Sequence, residues 1–163
     1  MVVLKNILVA TDFSEPSAVA LAYGRDLARS YNARLHVLHI VEDVLTRYSP
    51  EIAFVTPDLQ KDLEKSARRD LDDLISDDDR KTLDMVPVVA QGVNVAAAIV
   101  DYAQTNAIDI VIVGTHGRGA MKQFLMGSAA ERVVRTAPCP VLVVRAQERE
   151  FIAPDALVKV AKA

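Results

Sequence analysis

The chain reads as an α/β protein, a single open parallel sheet of five strands with helices on both faces, and three observations predict this. Nearly continuous apolar runs at residues 6–10 (NILVA), 35–41 (LHVLHIV), 85–90 (MVPVVA), 109–113 (DIVIV) and 141–144 (VLVV) have the length and composition of strands covered on both faces. Between them lie segments whose apolar residues recur every three or four positions, the period of amphipathic helices. The fourth run passes directly into GTHGRGAMKQFLMGS, residues 114–128, a glycine loop that ends where a new helix begins. Alternation of this kind implies right-handed crossovers between parallel strands. Ligands of such sheets sit beyond the carboxyl ends of the strands, where the strand order reverses.

The elements follow in order. Residues 6–10 form the first strand, and Ser14 with Pro16 close behind starts a helix whose buried stripe is Ala20, Tyr23, Leu27 and Tyr31. After the second strand, residues 42–55 carry no clear period and read as a long connection. Thr56 caps the next helix with Pro57 in its first turn, and Leu59, Leu63, Ala67, Leu71 and Leu74 form its stripe. SDDDRK, from Ser76, reads as a solvated acidic turn that ends it. In the third strand Pro87 cannot donate to a ladder, which predicts an edge position. Asn94 caps a third helix with Val95, Ala98, Ile99 and Tyr102 inward, and residues 128–136 form the fourth helix ahead of the last strand.

Bulk properties limit what such a sheet does. A chain of 163 residues fits one domain that buries about two thirds of its unfolded surface without a disulfide. The net charge of −3 and pI near 5.6 argue against a nucleic-acid partner, which needs a clustered basic surface. No apolar run approaches the roughly 20 residues needed to span a bilayer, and the first residues read as a strand rather than a leader. The sole cysteine, Cys139, permits no internal disulfide, so a reducing cytoplasm is the expected location.

The glycine loop carries the chemistry. Gly114, Gly117 and Gly127 can take positive φ or let another group approach bare backbone, and Ser128 offers a hydroxyl and a free N–H at a helix start. Successive N–H groups there point at an anion, helped by the helix dipole. Arg118 and Lys122 add positive charge in the same loop, so the expected ligand is a nucleotide. There is no G-x-x-x-x-G-K-[ST], no G-x-G-x-x-G after the first strand and no G-x-S-x-G elbow. The loop supplies no evident general base, the nearest candidates being Asp12 and His116.

The spacing of Gly114, Gly117, Gly127 and Ser128 resembles the ATP-binding signature of the universal stress protein family. ATDFS from Ala10, LHIVE from Leu38 and AERVVRTAPCPVLVV from Ala130 are similar to the same family, and the resemblance reaches about Arg145. It implies the sheet order 3-2-1-4-5, a homodimer paired mainly through the strand Val141–Val144, and bound ATP. By position it places Ala10, Thr11 and Asp12 beside ribose and adenine, and Ile40 against the base. Val113, Gly114 and Gly117 line the nucleotide, His116 and Arg118 lie in the same loop, and Gly127, Ser128, Ala129 and Ala130 take the phosphates. Asp12 either bonds a ribose hydroxyl or helps hold Mg²⁺, since an ionised carboxylate is both an acceptor and a hard-cation ligand.

Each residue also has a plain structural reading. Ser128 and Glu131 make an S-x-x-E capping box, Asp12 serves as a turn acceptor, His36 and His39 are packed, hydrogen-bonded histidines, and Cys139 is a small buried hydrophobe. The expected function is an ATP-binding stress-response regulatory protein recognised by other proteins. The alternatives are a slow ATPase or nucleotide-transferring enzyme and a nucleotide-free interaction module. Residues 1–146 form the nucleotide-binding domain. Residues 147–163 form an extension with Phe151, Ile152, Leu157, Val158 and Val160 as apolar members.

Overall fold

Residues 1–43, 56–115 and 126–145 are described by the computed structural model. The elements are β1 (Asn6–Ala10), α1 (Glu15–Tyr31), β2 (Arg34–Glu42), α2 (Thr56–Leu74), α3 (Asp77–Thr82), β3 (Met85–Gly92), α4 (Val95–Thr105), β4 (Ile110–Gly114), α5 (Ser128–Thr136) and β5 (Val141–Val144). The five strands form one parallel sheet of order β3-β2-β1-β4-β5, as expected. Pro87 lies in β3, an edge strand, where its missing N–H breaks no internal ladder.

The pleat sends alternate side chains to opposite faces, and each face has its own core. Ile7, Val9, Leu35, Val37 and Ile112 pack with Leu21 and Ala28 of α1 and Leu71 of α2. On the other face Leu8, Leu38, Val111 and Val113 pack with Ile99 and Ala103 of α4 and Val133 of α5. Because strand order reverses between β1 and β4, their carboxyl ends lie side by side, and the chain turns towards a different face after each.

Both long helices depart in part from their expected stripes. In α1 the expected Ala20, Tyr23 and Leu27 do pack on the core, but Tyr31 is 42% exposed and the buried residues are Ser17, Ala20, Leu21, Gly24 and Ala28. The pivot is Gly24: a Cβ there would fall on Val9 Cγ2 and lie 3.2 Å from Leu35 Cδ1, so the bare backbone sets how closely α1 approaches the sheet. A stripe built from large apolar side chains misses a glycine that is buried because it has none. In α2 the expected leucines repeat every four residues, which drifts round a helix of 3.6 residues per turn. Leu59 ends about a third of a turn away from Leu71. Leu59 and Leu63 are accordingly exposed, while Ala67 and Leu71 are buried. The buried face passes instead through Gln60 and Glu64, and Glu64 accepts a hydrogen bond from Gln91 of β3.

SDDDRK is a short helix, α3, and not merely a solvated turn. Ser76 Oγ accepts the Asp79 N–H and Asp79 Oδ2 accepts the Ser76 N–H, both at 3.1 Å, a reciprocal capping box. Asp79 is only 3% exposed and pairs with Arg25 of α1 through Nη2 at 2.8 Å and Nε at 3.0 Å. Burial pushes its carboxyl up, but the hydrogen bonds from Arg25 and Ser76 and the Arg25 charge outweigh burial and leave it below the ordinary carboxylate value. One of three consecutive aspartates thus ties α3 to α1.

Candidate functional site

The carboxyl end of β1 runs into a turn whose polar groups satisfy one another. Thr11, buried, donates its N–H to Leu38 O at 2.9 Å. Its hydroxyl lies 3.1 Å from Ser17 Oγ and accepts the Phe13 N–H at 3.1 Å. Asp12 Oδ1 accepts the Ser14 N–H at 3.1 Å and also the Ser14 hydroxyl, so the turn-acceptor reading of Asp12 holds. Phe13 adopts φ 63°, a left-handed conformation that costs a bulky residue about 1–2 kcal/mol. The Phe13 ring stacks on His39 with centroids 4.5 Å apart. His39 Nδ1 is 2.8 Å from Thr11 O; a carbonyl only accepts, so that nitrogen carries the proton.

The carboxyl end of β4 behaves differently. Gly114 packs under the start of α1: a Cβ would lie 2.8 Å from Pro16 Cβ and 3.0 Å from Ser17 N. No described glycine has positive φ, which corrects that expectation for Gly114 and Gly127, and close approach remains the reason for glycine at position 114. The chain leaves at Thr115 and returns at Gly127, whose N–H donates to Thr115 O at 2.7 Å. His116, Gly117, Arg118 and Lys122 lie outside the described residues.

Gly127 is the N-cap of α5 at φ −61°, ψ 148°, and among the described residues no side chain caps this helix. The expected Ser128–Glu131 capping box is therefore not formed. Ser128 falls one position inside the cap, where its hydroxyl no longer reaches back over the first turn, and Glu131 pairs instead with Arg135 at 2.9 Å. The first N–H groups of a helix lack intrahelical acceptors, and among the described residues no capping side chain takes them. By contrast, α4 is capped by Asn94, whose Oδ1 accepts the Ala97 N–H at 3.0 Å.

Four expected site residues from four elements meet in one cluster. Ala10, Ile40, Val113 and Ala130 all belong to the core on the α4/α5 face, with Ser128 and Ala129 exposed beside them. A cleft of about 870 Å³ opens beside Ser128 and Ala129, with these residues and Arg132 of α5 on one wall and Glu42, Asp43 and Asn94 on the other; Ala10, Ile40, Val113 and Ala130 do not line it. Sequence reasoning passed over Arg132 and the Glu42–Asp43 pair. Their signal was positional, since each lies at or just past a strand end or one turn into the helix that follows.

The remaining candidates take their structural readings. His36 Nδ1 lies 2.8 Å from the Tyr102 hydroxyl, and burial, then the Arg34 charge, lower its pKa. Cys139 is half-buried against the core, and burial, then the Asp109 charge, push its thiol up. Among the described residues no group of three or more His, Cys, Asp or Glu could hold a metal ion, and no helix is long and apolar enough to cross a membrane.

With this geometry in place, comparison with known proteins becomes specific. The model of the universal stress protein family matches residues 4–145. The chain belongs to that family. A universal stress protein of Thermus aquaticus is 34% identical over 145 residues, covering 86% of this chain and 98% of the relative. Universal stress protein A homolog 1 of Coxiella burnetii is 30% identical over 150 residues, covering 88% and 98%. Among solved structures, universal stress protein UspA from Lactobacillus plantarum superposes with a TM-score of 0.72 at 24% identity, covering 89% of this chain and all of that one. Two further family structures carry nucleotides. One is in complex with cAMP (TM-score 0.59, 22% identity, covering 90% of this chain and 100% of that one). The other, from Archaeoglobus fulgidus, is in complex with dAMP (0.61, 18%, covering 88% and 99%). At these identities the superpositions establish the shared fold.

Proposed function

We propose that this universal stress protein binds ATP with Mg²⁺ in the crevice beyond β1 and β4, and that the bound nucleotide biases a homodimer recognised by other proteins. The observation that carries the reading is the start of α5. Its N-cap is a glycine in a conformation open to any residue, no described side chain caps it, and two small residues follow. A glycine that the backbone does not demand, at a helix end whose first donors no described side chain takes, fits the close approach of a phosphate. Ala10, Ile40 and Val113 would offer the base and sugar an apolar wall, and Ser128, Ala129 and Ala130 would receive the phosphates through backbone N–H groups. The cAMP and dAMP complexes of family members support a nucleotide as the ligand class.

Mg²⁺ suits the same arrangement. It is commonly held by one or two carboxylates together with substrate phosphates rather than by an all-protein cage. Asp12 supplies one carboxylate, already oriented by Ser14. The dimer would form along β5, an edge strand paired only to β4 in the sheet, whose apolar residues would otherwise present an open ladder. A cytoplasmic location and a binding role without efficient phosphoryl transfer complete the proposal. Calorimetric titration of the full chain with ATP and MgCl₂ tests it. Saturable binding by the native chain and none by a folded Gly127→Val variant is expected; tight binding by that variant would remove the phosphates from α5.

A further inference from the structure

We infer that His39 is a positioning residue for the nucleotide site, acting by holding the strained β1–α1 turn that presents Asp12; the inference rests on the nucleotide reading above. The observation is the conformation of Phe13. A residue with φ 63° is at home there only if it is glycine or is held by its surroundings, and here His39 does the holding from both sides of Asp12. Its Nδ1–H donates to the carbonyl of Thr11, the residue before Asp12, at 2.8 Å. Its ring stacks on the side chain of Phe13, the residue after Asp12, at 4.5 Å. Further ties are the Thr11 N–H to Leu38 O of β2, the Phe13 N–H to Thr11 Oγ1, and Asp12 Oδ1 accepting from Ser14. The last paired residues of β1 and β2 are Ala10 and Leu38, so His39 extends the sheet contact one residue beyond the ladder, where the main chain begins to turn.

His39 acts from behind the site. Phe13 packs against the core on the α1/α2 face, whereas Ala10, Ile40 and Ala130 belong to the opposite core. Replacing His39 therefore removes a support while leaving the wall proposed for the nucleotide unchanged. His36, three residues earlier, lacks such a role because its hydrogen bond goes to Tyr102 of α4, away from the turn.

The test uses the full chain, ATP with MgCl₂, and three variants, each checked by thermal melting. His39→Phe keeps an aromatic ring against Phe13 but loses the donor. His39→Asn branches at Cγ as imidazole does, so its amide N–H lies where Nδ1–H lies. Phe13→Gly in the His39→Phe background makes the left-handed turn intrinsically accessible. The expected result is a folded His39→Phe that binds ATP about five- to tenfold more weakly, the scale of one lost net hydrogen bond. His39→Asn, which keeps the donor but gives up the ring, should bind more tightly than His39→Phe though below native, within about threefold of it on the same scale, and Phe13→Gly should recover part of the loss. A donor that merely stabilised the fold would lower the melting temperature without this pattern. ATP affinity in His39→Phe equal to native, or His39→Asn as weak as His39→Phe with no recovery by Phe13→Gly, would overturn the inference while leaving the nucleotide reading in place. No binding by the native chain would overturn both.

Discussion

The two turns at the centre of the sheet, one after β1 and one at the start of α5, lie side by side and spend their polar groups in opposite ways. After β1, Thr11, Asp12, Ser14 and Ser17 bond to one another, Pro16 removes one donor from the first turn of α1, and Gly114 closes over what is left. At α5 the cap is a glycine, the adjoining serine caps nothing and the nearest acid bonds elsewhere. The first turn is a finished structure under strain at Phe13, and the second is relaxed, with first-turn donors that no described side chain takes. A ligand adds most where the protein has left its own hydrogen bonds unmade, so the contrast supports the proposal that the anion end lies at α5 and that the β1 turn presents Asp12.

Substitutions that respect or violate this division break or sharpen it, and the largest effect belongs to neither turn. Asp79→Ala strands Arg25 and removes the capping box, and should cost about 3 kcal/mol in chemical denaturation without changing nucleotide affinity. Because the folded carboxyl titrates below its ordinary value, the Asp79 contribution is complete at neutral pH and is lost as pH falls through the carboxylate range. The native chain should therefore lose stability in acid more steeply than the variant.

Next come the two glycines that the comparison separates. Gly114→Ala places a methyl against the backbone of Pro16 and Ser17 and should destabilise the fold by about 1–3 kcal/mol. Gly127→Val occupies an extended conformation open to β-branched residues and should melt near the native temperature while losing ATP. Equal loss of stability in both would dissolve the distinction between a packing glycine and a ligand glycine.

The smallest effects separate the helix caps. Asn94→Ala removes a real cap and should cost about 1 kcal/mol. Ser128→Ala removes a hydroxyl that caps nothing and should change stability by less than about 0.5 kcal/mol. A cost at Ser128 matching that at Asn94 would restore the capping box that the sequence suggests and weaken the case for open donors at α5.

What was legible in the sequence follows the physics of each signal. The strands were readable because two-sided burial leaves an unbroken apolar run, and Pro87 marked the edge because a proline has one backbone consequence that context does not alter. Ala10, Ile40, Val113 and Ala130 converge because each lies at a strand end or helix start, which parallel topology gathers at one side of the sheet. Helix faces were less legible: at Gly24 burial depends on the absence of a side chain, and Gln60 and Glu64 occupy positions that apolar periodicity assigns outward. Asp79 was hidden among identical neighbours, since only its approach to Arg25, 54 residues away in sequence, distinguishes it from Asp77 and Asp78. The S-x-x-E pattern at Ser128 misled because a one-residue shift in where a helix begins decides whether a serine caps it.

The most direct test of the central claim is to purify the full chain without added nucleotide, denature it and identify by chromatography what is released, then titrate the refolded or empty protein with ATP and MgCl₂. Stoichiometric adenine nucleotide in the supernatant, or saturable binding in the titration, is the predicted result. Neither, from a chain whose melt confirms that it is folded, would contradict the account and leave the open end of α5 as a feature of the fold without a nucleotide to serve.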